Sequence, residues 1–158
     1  MRIVRYDGEH ARLRDLFALA EDSPQRLATY LGRGRVLIAS DGGAVVGYVQ
    51  LVETEAPGEL ELLSMAVVEH RQGEGIGSAL VERAIAECRD DGVHTLRVGT
   101  GAADVGNLRF YQLLGFRMLS VERDAFTPDD GYPEGLEVDG IPLRDRVWLT
   151  LALDEPPG

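Results

Sequence analysis

Apolar positions recur along the chain with two periods, near two and near 3.6 residues, and the period marks the element. Arg2–Tyr6 reads as a short strand. From Glu9 to Ala20 the spacing of Leu13, Leu16, Phe17 and Ala20 predicts an amphipathic helix. Ser23-Pro24 then supplies an N-cap and a first-turn proline for a second, short helix that Gly32 closes. Three strands follow in succession. Val36–Ala39 and Ala44–Glu53 are joined by the hairpin signal Asp41-Gly42-Gly43, and Leu60–Val68 comes after the Pro57-Gly58 turn. Gly75–Asp91 carries the strongest helical pattern, with Ile76, Leu80, Ala84 and Cys88 on one stripe and Gly92 as the stop. Thr95–Thr100 is a strand and Val105–Leu114 a helix ending before Gly115. Phe116–Arg123 and Val147–Leu153 are the last strands, separated by a loop over Phe126–Arg144 rich in Pro, Gly and Asp. A hairpin run followed by a strand–helix–strand unit predicts an α/β (mixed α+β) fold, with one mixed sheet flanked by helices.

The chain has 158 residues, a length that suits a single domain over 1–158. Its formal net charge of −11 argues against binding to nucleic acid or to an anionic membrane surface, both of which need cationic surface. A single cysteine, Cys88, excludes an internal disulfide and a cysteine-rich zinc site. All 16 cationic side chains are arginine, so Schiff-base chemistry and a phosphate-binding P-loop lysine are unavailable. His10, His70 and His94 have no metal-ligand spacing, and no metal is expected. The charged segment Met1–Asp7 does not read as a leader, and no apolar run approaches the length of a membrane span, so a cytoplasmic location is expected.

The informative stretch is the junction between the third strand of the meander and the longest helix. Glycines at 73, 75 and 77 open that helix. Glycines let backbone N–H groups converge, and a helix start adds unpaired donors and partial positive charge, which together make a seat for phosphate. The dinucleotide fingerprint fails because Ser78 stands where its last glycine is required, and because three strands come first. The P-loop fails for want of lysine. Gln72-x-x-Gly75-x-Gly77 fits a third spacing without a gap.

Gln72-Gly-Glu-Gly-Ile-Gly77 resembles the pyrophosphate-binding motif of the GNAT N-acetyltransferase superfamily. The resemblance extends upstream through Met65-Ala66-Val67 and downstream to Phe110-Tyr-Gln-Leu-Leu-Gly-Phe116. It implies a central, mostly antiparallel mixed sheet of about seven strands, splayed between the fourth and fifth, with about four helices. It also implies acetyl-CoA as cosubstrate. The pyrophosphate would rest on the amides of Gly73, Glu74, Gly75, Ile76, Gly77 and Ser78 beside Gln72, and the pantetheine arm would lie along Met65, Ala66 and Val67.

Acyl transfer to an amine needs a base for the ammonium, a donor for the oxyanion and a proton for the leaving thiolate. Tyr111 matches the family's tyrosine, and its hydroxyl is the candidate acid; the alternative is a packed ring with a locally bonded hydroxyl. Glu61 matches a position where some members carry a catalytic glutamate. Strand alternation puts it with Leu63 and Met65, among apolar neighbours that raise a carboxyl pKa. A strand-end glutamate in water, Glu53, Glu59 or a water chain are the competing readings. Asn107, four residues before Tyr111, is a candidate for a pantetheine amide, although the family places its asparagine earlier, near Asp104, which reads here as an N-cap. Cys88 reads as a small buried thiol. The segment Glu122–Asp145 holds eight carboxylates against Arg123 and Arg144; it reads either as an acidic lining that attracts a cationic amine or as a solvated loop. The expected activity is acetyl transfer to a primary amine of a small cationic molecule or of a peptide or protein, by a monomer or homodimer. The alternative is a noncatalytic acyl-CoA-binding module.

Overall fold

The computed structural model describes residues 1–21 and 23–154; residues 22 and 155–158 of the domain expected over 1–158 lie outside the described residues. In chain order the elements are β1 (Arg2–Arg5), a 3-10 turn (His10–Leu13), α1 (Arg14–Phe17), α2 (Pro24–Tyr30), β2 (Arg35–Asp41), β3 (Ala44–Glu53), β4 (Glu59–Val67), a 3-10 turn (Glu69–Arg71) and α3 (Ile76–Asp90). Then come β5 (Thr95–Gly101), α4 (Val105–Leu113), β6 (Arg117–Glu122), a 3-10 turn (Pro128–Asp130), β7 (Glu137–Val138), β8 (Ile141–Pro142) and β9 (Arg146–Ala152). Seven strands make a mixed sheet in the order β1-β2-β3-β4-β5-β9-β6. No helix among the described residues is long and apolar enough to cross a membrane.

The chain divides into two compact units, 1–96 with the residues from 153 onward, and 97–152. In the first, β1 to β4 form an antiparallel meander. Gly42 and Gly43 both have positive φ (59° and 85°), the conformation a tight two-residue hairpin turn requires. One face of the meander packs on α1 and α2 through Phe17, Leu27, Leu31, Val36, Ile38 and Tyr48, with the Phe17 and Tyr48 rings stacked at 4.0 Å. The fully buried Gln50 donates from Nε2 to the carbonyls of Tyr30 (2.7 Å) and Arg33 (3.0 Å), satisfying the C-terminal end of α2. The other face takes α3, whose buried residues include the expected Ile76, Leu80, Ala84 and Cys88. Arg35 fixes this helix through Asp91 (2.7 Å) and Glu87 (3.4 Å). Burial pushes the Cys88 thiol up to about 11, so it stays protonated.

In the second unit β6 and β9 pair antiparallel. Val98 and Thr100 alternate as its buried positions on β5, as a period of two demands.

Two elements differ from the sequence expectation. The predicted helix Glu9–Ala20 is a 3-10 turn running into one turn of α-helix. Neither Glu9 nor Leu13 caps with its side chain, and Leu19 and Ala20 close i→i+3 bonds to Leu16 and Phe17. Only Leu13 and Phe17 are fully buried, Leu16 packs on the same core partly buried, and Ala20 is exposed, so packing supports the middle of the stretch and not its end. The expected loop Phe126–Arg144 holds the 3-10 turn and the small β7–β8 hairpin. That hairpin turns on Asp139-Gly140, both at positive φ (49° and 85°).

Candidate functional site

The strand–loop–helix of the first unit builds the candidate anion seat from backbone alone. After β4 ends, Gln72 folds back and donates from Nε2 to the Val67 carbonyl (3.0 Å), fixing the strand's exit. Gly73 and Gly75 take left-handed φ values of 82° and 86°. A Cβ at either position would meet nothing within 4 Å, so conformation and not crowding calls for glycine, and the space above the loop is open. Gly75 is the N-cap of α3 and offers no capping side chain. The first helical bond of the turn runs from Ala79 N–H to the Gly75 carbonyl (3.0 Å). The preceding amides, through Ser78, therefore have no intrahelical acceptor. No acidic residue stands in the first turn. Glu74, the nearest carboxylate, is held by Arg71 (3.0 Å), which also binds Asp41 (2.9 Å) on the β2–β3 hairpin. The guanidinium draws the Asp41 carboxyl below its ordinary range. Arg71 thus offsets part of the negative charge beside the loop.

Upstream, the β3–β4 register shifts: Leu51 faces Leu62, and Gln50 faces Ser64, leaving Leu63 as an extra residue. This β-bulge corrects the expected alternation. Residues opposite each other across a ladder share a face. Val52 faces Glu61 and Gln50 faces Ser64, so Glu61 lies with Ser64 and Ala66 and not with Met65. That is the face on which the Tyr48 hydroxyl meets Ser64 Oγ. Burial, followed by the charge of Glu21, pushes the Tyr48 phenol up to about 12 against the opposing Ser64 bond. Glu61 itself is half-buried.

The second unit carries Asn107 and Tyr111 on α4. Asp104 is the N-cap, accepting from Asn107 N–H (3.0 Å). The Asn107 side chain donates to Thr100 Oγ1 on β5 (3.3 Å). Tyr111 is 5% exposed, its ring packed edge-on against Phe110 (5.1 Å) and Phe116 (5.5 Å). No group among the described residues bonds its hydroxyl. Burial, with a lesser contribution from the charge of Asp104, raises its pKa well above the ordinary phenol value.

The same unit holds an arrangement that the sequence did not announce. Arg97 stacks over Trp148 (3.9 Å), and Arg146 lies over Phe126 (4.7 Å). Glu122 accepts from Arg146 Nη1 (3.2 Å) and Trp148 Nε1 (3.1 Å). Arg97, Gly99 and Gly101 alternate on β5, and a Cβ at Gly99 would collide with Arg146 and Trp148 at 2.8 Å. The Arg-x-Gly-x-Gly alternation is the signal available in the sequence. Of the eight acidic groups between Glu122 and Asp145, Glu122 is thus engaged by Arg146 and Trp148, and Asp145 accepts from Asp124 N–H (2.9 Å). Asp129, Glu134, Glu137 and Asp139 are exposed. Among the described residues no three His, Cys, Asp or Glu side chains form a metal-holding group.

The chain matches the model of the Acetyltransferase (GNAT) family over residues 6–116. It is 34% identical to the uncharacterized N-acetyltransferase YvbK of Bacillus subtilis (strain 168), covering 97% of both chains. A Bacillus subtilis acetyltransferase crystallised with CoA superposes with a TM-score of 0.86 at 34% identity, covering 96% of this chain and 97% of that one. A GNAT family acetyltransferase from Elizabethkingia anophelis with acetyl-CoA bound also gives 0.86, at 28% identity over 96% of this chain and 97% of that one.

Proposed function

The chain belongs to the GNAT acetyltransferase family, and from that premise we propose that it acts as a single acetyltransferase domain over 1–158, moving an acetyl group from acetyl-CoA to a primary amine of a small cationic molecule or of a peptide or protein in the cytoplasm. The observation that carries the reading is the uncapped start of α3 behind two left-handed glycines, an open row of N–H donors with Glu74 neutralised by Arg71. These residues fit a diphosphate. The amides of Gly73 to Ser78 would hold it, Gln72 would fix the approach through Val67, and Met65, Ala66 and Val67 would offer backbone groups to the pantetheine amides. Asn107, anchored on Thr100, is the side-chain candidate for another amide of that arm.

Acetyl-CoA supplies the activated acyl group as a thioester. Glu61 is the proposed base that takes a proton from the incoming ammonium, whose ordinary pKa near ~10 leaves almost no free amine at neutral pH. The bulge at Leu63 turns backbone N–H groups of β4 away from a regular ladder and so offers a donor for oxyanion charge at the attacked carbonyl. Tyr111, neutral through the physiological range and without a partner at its hydroxyl among the described residues, donates a proton to the departing sulfur. The exposed carboxylates Asp129, Glu134, Glu137 and Asp139 support a cationic acceptor by drawing it in through long-range attraction.

The test is thiol release from acetyl-CoA in the presence of pooled polyamines, aminoglycosides, amino acid derivatives and peptides. Amine-dependent release that vanishes in Tyr111→Phe is the expected result. Stoichiometric acetyl-CoA binding with no turnover across the panel would overturn the catalytic reading in favour of a binding module. No binding at all would overturn the site.

A further inference from the structure

Apart from the tyrosines, three polar side chains are buried among the described residues: Gln50, Ser64 and Thr100. Thr100 accepts from Asn107. The other two face each other across the β3–β4 ladder, at the step beside the extra residue Leu63. Each is tied to the helical layer that covers this face of the meander. Gln50 donates to the carbonyls of Tyr30 and Arg33, at and just past the end of α2, while its Oε1 has no partner among the described residues. Ser64 Oγ pairs with the Tyr48 hydroxyl, and the fully buried Tyr48 ring stacks on Phe17 of α1. An orphaned buried acceptor is a cost that an apolar residue would avoid, so packing alone does not account for polarity at this step.

Register does account for it. Carrying the pairs Val52–Glu61 and Leu51–Leu62 onward without an extra residue would bring Leu63 opposite Gln50 and Ser64 opposite Val49. Side chains alternate between faces, so Ser64 would change face and leave Tyr48. Hydrophobicity does not forbid that slip. Leu62, Leu63, Met65, Ala66 and Val67 supply apolar side chains to either face, and helices touch β4 from both sides. The hydroxyl pair does forbid it, because the slip would leave a buried phenol without a partner. We propose, on the premise of acetyl transfer from acetyl-CoA, that Tyr48 and Ser64, with Gln50 opposite, are positioning residues: they hold the bulge at Leu63 and so keep the backbone N–H freed there as the donor to the thioester carbonyl. Neither hydroxyl has to reach the substrate; each acts through the strand.

The experiment compares the full-length wild type with Tyr48→Phe, Ser64→Ala and Ser64→Thr. In the ligand-free protein, amide NMR reads the register. The wild type is expected to give a single sharp set of signals from Leu60 to Val67, with cross-strand contacts between Gln50 and Ser64. Tyr48→Phe and Ser64→Ala are expected to broaden or double those signals while the signals of β1 and β2 stay in place. With acetyl-CoA isotope-labelled at the thioester carbonyl, infrared difference spectra read the donor. The carbonyl bound to wild type should absorb at lower frequency than the free one. In Tyr48→Phe and Ser64→Ala it should return toward the free value, with kcat down by about tenfold to a hundredfold and acetyl-CoA affinity held within about threefold. Ser64→Thr, which keeps the hydroxyl, should restore the carbonyl band and most of the rate. Sharp, single signals in both variants that lack a hydroxyl, or a carbonyl band and kcat that do not move, would overturn the proposal. So would affinity, rate and melting temperature falling together, which marks a packing role. A wild type that binds no acetyl-CoA would instead overturn the acetyltransferase reading, and the ligand-free spectra would still show whether the hydroxyl pair holds the register.

Discussion

Replacing Tyr111 by phenylalanine removes one oxygen and little else. The ring is packed between Phe110 and Phe116, and the backbone carbonyl of residue 111 accepts from Leu114 (3.1 Å) and Phe116 (3.0 Å), contacts that phenylalanine keeps. The hydroxyl has no partner among the described residues, so its loss breaks no protein hydrogen bond. Its removal is expected to change stability by less than ~1 kcal/mol. Catalysis is expected to respond very differently. A positioned general acid contributes roughly 10²–10⁴-fold, equivalent to about 3–5 kcal/mol of barrier. The assay is steady-state thiol release alongside a thermal melt and an acetyl-CoA titration. A kcat reduced at least a hundredfold, with melting temperature and acetyl-CoA affinity retained, is predicted. A variant with wild-type kcat would refute the role of the phenol; one that loses rate and stability together would show a packing role instead. The pH dependence adds a second check. Because burial raises the Tyr111 pKa, its hydroxyl remains protonated past the ordinary value of 10.0, and the rate profile should show no loss of this acid up to that pH. The same raised pKa means that the folded state binds a proton that the unfolded chain releases above pH 10.0, so its contribution to stability is complete below that pH and declines as pH rises further.

Gly75→Ala places a Cβ in open space but at φ 86°, so it should cost about 1–2 kcal/mol of conformational energy and weaken acetyl-CoA binding, measured by melting and calorimetry. Arg71→Ala should free the Glu74 and Asp41 carboxylates and lower acetyl-CoA affinity, with the deficit shrinking as salt is added; a deficit independent of salt would count against an electrostatic cause. Asp104→Ala should lose about 1 kcal/mol of stability through the cap on α4, read from chemical denaturation. Cys88, buried and with its thiol pushed up to about 11, should resist thiol reagents at neutral pH until the protein unfolds; stoichiometric labelling of native protein would contradict that burial.

Where local chemistry and packing agree, sequence and structure agree. Ser23 accepts from Arg26 N–H as the expected N-cap, Gly92 and Gly115 sit at positive φ beyond α3 and α4, and Ala44–Glu53 is a strand to the residue. The left-handed turn proposed to hold the diphosphate is legible because it is made of backbone, so glycine spacing alone describes it. The face of Glu61 was not, since the extra residue at Leu63 comes from pairing with β3, and no local pattern in β4 encodes it. The first helix is shorter than its apolar spacing predicts because that spacing is real but only Leu13 and Phe17 are fully buried, with Leu16 partly buried against the same core. The β7–β8 hairpin was legible in Asp139-Gly140 and was hidden by the Pro- and Asp-rich composition around it. The Arg97–Trp148 and Arg146–Phe126 stacks join residues distant in sequence, which one chain read alone does not pair.

The central claim is that main-chain donors at the start of the longest helix receive the diphosphate of the donor substrate. Amide-resolved NMR during titration with acetyl-CoA tests it most directly. The account predicts saturable shifts, at one equivalent per chain, led by the amides from Gly73 to Ser78, and their disappearance when a pantetheine thioester lacking the diphosphate is used. Unmoved amides in that turn, or the same shifts with the truncated compound, would contradict it.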